Sequence, residues 1–186
     1  MAAGNARRFG TNKLAAQLQG RSLILRTLES IPTEYFENVM VVTQYPEIMR
    51  LAKEFHFAAI HNDHPELGIS HTIELGLTGL RDCDGVLFSV SDQPLLRRES
   101  VAELVRLWTQ QPDKIAGMAH DGVRGNPCLF PARFFPELMA LEGDHGGGAV
   151  IRQHEEDLVL LEVPQQELSD VDTPEAMRSL EPQTAE

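Results

Sequence analysis

From Asn38 onward the sequence alternates between short aliphatic or β-branched runs and longer stretches with helical spacing, and this alternation constrains the fold more than any other feature. The runs "NVMVVT" (38–43), "FAAIHN" (57–62), "DGVLFSVSD" (84–92), "KIAGMAH" (114–120) and "DLVLLEVP" (157–164) read as strands. Between them, "PEIMRLAKEF", "GISHTIELGLTGL" and "RRESVAELVRLW" repeat apolar residues every three or four positions. Ile69, Ile73, Leu77 and Leu80, for example, fall on one face. "CLFPARFFPELMAL" begins as a strand and ends as a helix, and "TPEAMRSL" closes the chain as a helix. Strands alternating with helices predict an α/β fold with a mainly parallel sheet covered on both faces, in a single domain over 1–186.

The chain has 186 residues and a formal charge of −12, which argues against a nucleic-acid polymer as partner, because such binding neutralises many phosphates. No apolar run reaches the ~18 residues of a membrane span, and no signal-peptide pattern opens the chain. Cys83 and Cys128 are too few for a disulfide framework or a zinc site, so a reducing cytoplasm is the expected location. The charge is unevenly spread. Arg7, Arg8, Lys13, Arg21 and Arg26 all precede the first acid, Glu29. A cationic head on an acidic chain points to a local anion site or to a solvated terminus.

That head, "GNARRFGTNK", has the makings of a phosphate loop. Gly4 and Gly10 let the backbone approach a ligand, successive N–H groups can form an anion-binding concavity, and Arg8 and Lys13 supply charge to a di- or triphosphate. It is neither a Walker A loop nor GxGxxG. In an open α/β sheet a loop of this kind follows a first, central strand, yet only Met1, Ala2 and Ala3 precede Gly4. The first strand is therefore expected to be truncated, with a start assigned too late as the preferred explanation and a sheet that manages without it as the other.

Three aspartates could hold a metal. Asp92 ends the apolar run of "SVSDQP", where ligands of open α/β sheets bind, and a carboxylate there suits Mg2+. Its other reading is a cap on the turn at Pro94. In "SDVDTPEAM", Asp170 and Asp172 share a face if the segment is extended, and could face Asp92 across a metal. Asp172 or Thr173 could equally cap the helix that begins at Pro174. His61, His64 and His71 with Asp63 match no zinc spacing, and Cys128 reads as core rather than nucleophile.

The opening string resembles the [LM]-A-A-G-x-S-x-R-[FM]-G-x-x-K signature of nucleotidyltransferases with the GT-A-like, Rossmann-like three-layer fold. The wider pattern, through "NDHPELGIS", "SVSDQPLL", "GNPCLFP", "GDHGGGAV" and "DVDTPEAM", resembles the molybdenum cofactor cytidylyltransferases. Two positions depart from the pattern: Ala6 replaces the loop serine and Asn126 replaces a frequent histidine. The resemblance implies nucleotide binding by Ala2, Ala3, Gly4, Arg8, Gly10 and Lys13, with Gly68 and Ser70 contacting base and ribose. It implies an acceptor pocket shaped by Gly125, Asn126, Pro127, Gly143 and Asp144, and Mg2+ on Asp92 with Asp172 and Asp170. Arg8, Lys13 and Asp92 would carry the chemistry, which is transfer of CMP from CTP to a molybdopterin-type cofactor with release of pyrophosphate. "MAAG" looks like the cytidylyl rather than the guanylyl branch. A molybdoenzyme or its chaperone would be the receiving partner. Guanylyl transfer, transfer to a sugar phosphate or methylerythritol phosphate, and a non-catalytic accessory role are the alternatives.

Overall fold

A computed structural model describes residue 1, residues 13–80 and residues 82–180. The loop from Ala2 to Gly10, with Arg8, lies outside the described residues. After a single turn at Lys13–Ala15 comes a minimal hairpin, β1 (Gln17–Leu18) and β2 (Arg21–Ser22). It turns through Gln19 and Gly20, both at positive φ, the geometry that suits the twist of a two-residue hairpin. The Ser22 side chain then accepts the Leu25 N–H and starts α1 (Leu23–Glu29).

The alternation expected from sequence follows: β3 (Met40–Thr43), α2 (Pro46–Glu54), β4 (Ala58–His61), α3 (Ile69–Gly79), β5 (Gly85–Phe88), α4 (Arg98–Gln110) and β6 (Ile115–His120). Then come β7 (Val123–Pro131), α5 (Phe135–Met139), α6 (Gly148–Ile151), β8 (Leu158–Glu162) and α7 (Pro174–Ser179). β3 and β4 pair in parallel, while β5, β7, β6 and β8 lie side by side in that order. In the four-stranded sheet β6 and β8 are parallel, and β7 runs antiparallel to both β5 and β6. The reversal has a local cause. Asp121 and Gly122, both at positive φ, return the chain directly between His120 and Val123. Among the described strands, no ladder joins β3–β4 to the larger sheet.

Both faces of that sheet are covered. Ile73 and Leu77 of α3 and Leu138 of α5 pack with Val86, Phe88 and Phe130. Val101, Leu104 and Val105 of α4 pack with Ala116, Met118 and Leu129 on the other side. Neighbouring residues of one strand, such as Leu129 and Phe130, thus enter different clusters, as side-chain alternation requires. The three-layer α/β architecture agrees with the expected fold class. Among the described residues, no helix is long and apolar enough to cross a membrane.

Candidate active site

The site begins with Lys13. Leu14, buried in the cluster around α1, α2 and β3, anchors the turn that carries it. The Lys13 side chain crosses to two carboxylates far along the chain. Its Nζ donates to Asp92 Oδ2 and to Asp172 Oδ1, each at 2.9 Å. The lysine side chain is 16% exposed, Asp92 24% and Asp172 59%. Burial pulls the lysine pKa down, but the hydrogen bonds and charges of Asp92 and Asp172 outweigh it and hold the ammonium above its ordinary range.

Local sequence explains how these groups meet. Asp92 lies just past the carboxyl end of β5, and its carbonyl accepts the Val171 N–H at 2.8 Å. Val171 is fully buried against Leu18 and Leu23, so the aspartates on either side of it are fixed in place. Thr173, not Asp172, caps α7 by accepting the Ala176 N–H, leaving the Asp172 carboxylate for Lys13. Asp170 lies at the surface, with its carboxyl turned toward Gln93. Burial, then the Asp92 charge, push its carboxyl pKa up, and the hydrogen bond from Gln93 Nε2 at 3.0 Å opposes them.

Two residues that sequence reasoning passed over hold this arrangement. Gln93 is buried and ties Asp170 Oδ1 and the Leu168 carbonyl to the Asp92 loop. Buried Glu167 accepts the Arg97 N–H at 3.1 Å and Arg97 Nε at 2.8 Å, pinning the same segment to the start of α4. The visible signal for Gln93 was an amide directly beside Asp92 in "SDQP", and nothing local marked Glu167.

Gly68 and Gly143 also converge. Gly68 stands at φ +89, and a Cβ on it would lie 2.4 Å from the Gly143 carbonyl oxygen and 2.8 Å from Asp144 Oδ1. The Ser70 N–H donates to the same Gly143 carbonyl at 3.1 Å. Ser70 is a buried member of α3 and does not cap it; Gly68 stands at that position. The loops assigned by resemblance to nucleotide and acceptor are therefore in direct contact. Gly125 packs on Leu168, whose carbonyl holds Gln93, which places "GNP" (Gly125, Asn126, Pro127) beside the segment leading to Asp170. Asn126 and Pro127 are joined by a cis peptide.

The donors around Lys13 are carboxylates only, a set that fits a hard divalent cation and not a soft one. They ring the ammonium rather than a common point. Among the described residues, the one trio with ligand atoms within 4.8 Å of one another is His154, Glu156 and Asp157, and Asp157 is already bonded to Lys114 and Arg133. His64 and His71 pair with Glu66 and Glu74. Burial pushes the Cys128 thiol up, as expected of a core residue.

Residues 1–158 match the MobA-like NTP transferase domain. The chain belongs to that family. As a MobA-like nucleotidyltransferase it is similar to the purine catabolism protein PucB of Bacillus subtilis strain 168, at 27% identity over 94% of this chain and 90% of that protein. Its fold is that of a nucleotidyl transferase from Methanothermobacter, with a TM-score of 0.79 at 16% identity over 96% of this chain and 92% of the other. Rv0371c of Mycobacterium tuberculosis H37Rv, in its complex with manganese, has a TM-score of 0.70 at 19% identity over 96% of this chain and 94% of the other.

Proposed function

We propose that this MobA-like transferase moves CMP from CTP to a molybdopterin-type cofactor. The observation that carries the reading is the Lys13 ammonium shared between Asp92 and Asp172. An ammonium that bridges two carboxylates marks a place where positive charge is held on demand, and triphosphate chemistry needs such a place.

In this reading the terminal phosphate of the acceptor attacks the α-phosphorus of CTP in line. The new P–O bond forms as the bond to the β-phosphate oxygen breaks, and pyrophosphate leaves. The attacking phosphate is already ionised at neutral pH, so no side chain needs to take its proton. Lys13 turns from the aspartates to the β- and γ-phosphates, joined by Arg8 and the backbone of the Gly4–Gly10 loop, with Ala2 and Ala3 at its start. Asp92 and Asp172, with Asp170 behind them, then hold Mg2+, which would neutralise phosphoryl charge when bound. Gly68 and Ser70 lie against the nucleoside. Gly125, Asn126, Pro127, Gly143 and Asp144 shape the acceptor side, and a molybdoenzyme or its chaperone takes the product.

The test is pyrophosphate release from each NTP in turn, with Mg2+ and molybdopterin. Release with CTP alone supports the proposal. Release with GTP moves the assignment to guanylyl transfer, release only with a sugar phosphate or methylerythritol phosphate moves it to that class, and tight nucleotide binding without turnover points to an accessory role.

A further inference from the structure

Two converging guanidinium groups stand without an acid in a chain whose formal charge is −12. Elsewhere acids are at hand: Lys114 and Arg133 share Asp157, and Arg97, Arg98 and Arg178 each pair with a glutamate. Arg124 and Arg152 pair with no carboxylate of the described residues. Arg124 Nη1 instead points at the Cys128 sulfur, 3.5 Å away and a weak acceptor. Burial pushes the Cys128 thiol up, and its S–H donates to the Gly125 carbonyl, so the sulfur brings no negative charge. Glu162 shares a row across the sheet with Ala119 and Arg124, but its carboxylate accepts the Gly122 N–H at 3.0 Å.

Gly148 is where the two cations meet. A Cβ there would lie 3.0 Å from Arg124 Nη2 and 3.7 Å from Arg152 Nη1, so both border the open side of one Cα. The Arg124 stem runs over Gly117, where a Cβ would lie 3.5 Å from its Cγ, and this half-buries the side chain. Arg152 is exposed and stands one helical turn beyond Gly148. Like charges held this close repel each other, and an oxyanion between them turns that repulsion into attraction. The pair stands at the Asp92 end of the sheet. β7 is antiparallel to β5 with Cys128 opposite Phe88, so Arg124 lies beyond the carboxyl end of β5, as Asp92 does. Segment 143–148 connects the pair to the Gly68 loop: Gly143 adjoins Gly68, Gly146 packs on Ile69, and Gly148 adjoins Arg124.

We propose that Arg124 and Arg152 together hold an oxyanion of the acceptor in the space that Gly148 leaves open. The planar fork of a guanidinium matches two oxygens of a phosphate or carboxylate at once, so two forks fix the orientation of the group as well as its place. That the oxyanion belongs to the acceptor rests on the transfer reaction proposed above; that the two guanidinium groups hold one does not.

The chain of 186 residues, free of nucleotide, is titrated with inorganic phosphate and separately with acetate at constant ionic strength, and the arginine Nε–H resonances are followed by NMR. The two signals are assigned by their loss in Arg124→Lys, which keeps the stem over Gly117, and in Arg152→Gln, whose exposed side chain the fold does not need. In the parent both signals should shift together, with phosphate if the acceptor group is a phosphate and with acetate alone if it is a carboxylate. In Arg152→Gln the Arg124 signal should need about 10-fold more of the same anion. If neither anion moves either signal, or if Arg124 titrates alike in the parent and in Arg152→Gln, the shared site is overturned. In the transfer assay Arg152→Gln should raise KM for the acceptor about 10-fold and leave KM for CTP within about twofold. An equal rise in both overturns the assignment of this oxyanion to the acceptor. A parent chain that shifts both signals yet turns over no acceptor supports the anion site and contradicts the transfer reaction.

Discussion

Asp92, Asp172 and Lys13 are separated by up to 159 positions, yet one ammonium touches both carboxylates. If Asp92 holds a metal–triphosphate group, Asp92→Asn removes a charge without removing volume. It should lower kcat about 100-fold or more while circular dichroism and Tm stay near the parent. Lys13→Ala should act differently. Losing a charge-assisted contact of roughly 1.5–3 kcal/mol should weaken CTP binding by about 10- to 100-fold, read by calorimetry. Gly68 makes a third prediction. Its backbone lies where a side chain adds strain of order 1–3 kcal/mol, and the Gly143 carbonyl leaves a Cβ no room. Gly68→Ala should therefore lower Tm and raise KM together, because the contact between the two loops must open. Unchanged Tm in that variant would show that the loops are not locked.

At the scale of elements, α7 depends on a single hydroxyl. Thr173→Ala should cost about 1 kcal/mol in urea unfolding, and Thr173→Ser should restore most of it. Sequence periodicity located nearly every helix and strand from β3 onward, because each buries one face and that burial writes a period into the residues. β7 is the informative exception. Its strand character was legible in "CLFP", but its direction was decided by Asp121–Gly122, a two-residue signal inside "HDGV" that apolar periodicity does not register. α1 was missed because its seven residues are too short for two apolar turns. At the site, Asp92 stood out at the end of an apolar run, Asp170 and Asp172 by their spacing of two, and Lys13 as a cation of the glycine-lined opening stretch. Gln93 and Glu167 did not, because their roles are set by partners 70 or more positions away.

Across the whole molecule, the N-terminal ammonium couples stability to pH. Unfolded, the amine takes its proton near its ordinary 8.0; folded, only near about 6. Between those values the unfolded chain binds more protons, so this group makes stability rise as pH goes from 6 to 8. Acetylating the N-terminus should flatten that slope in urea titrations at pH 6, 7 and 8; an unaltered slope would mean that the amine is not desolvated. The convergence of distant carboxylates and a mobile cation on one metal–nucleotide is most directly tested by Mn2+ electron paramagnetic resonance with and without CTP. The account predicts that CTP tightens Mn2+ binding in the parent chain and has no such effect in the folded Asp92→Asn variant. Equal, CTP-tightened Mn2+ binding in both would contradict it.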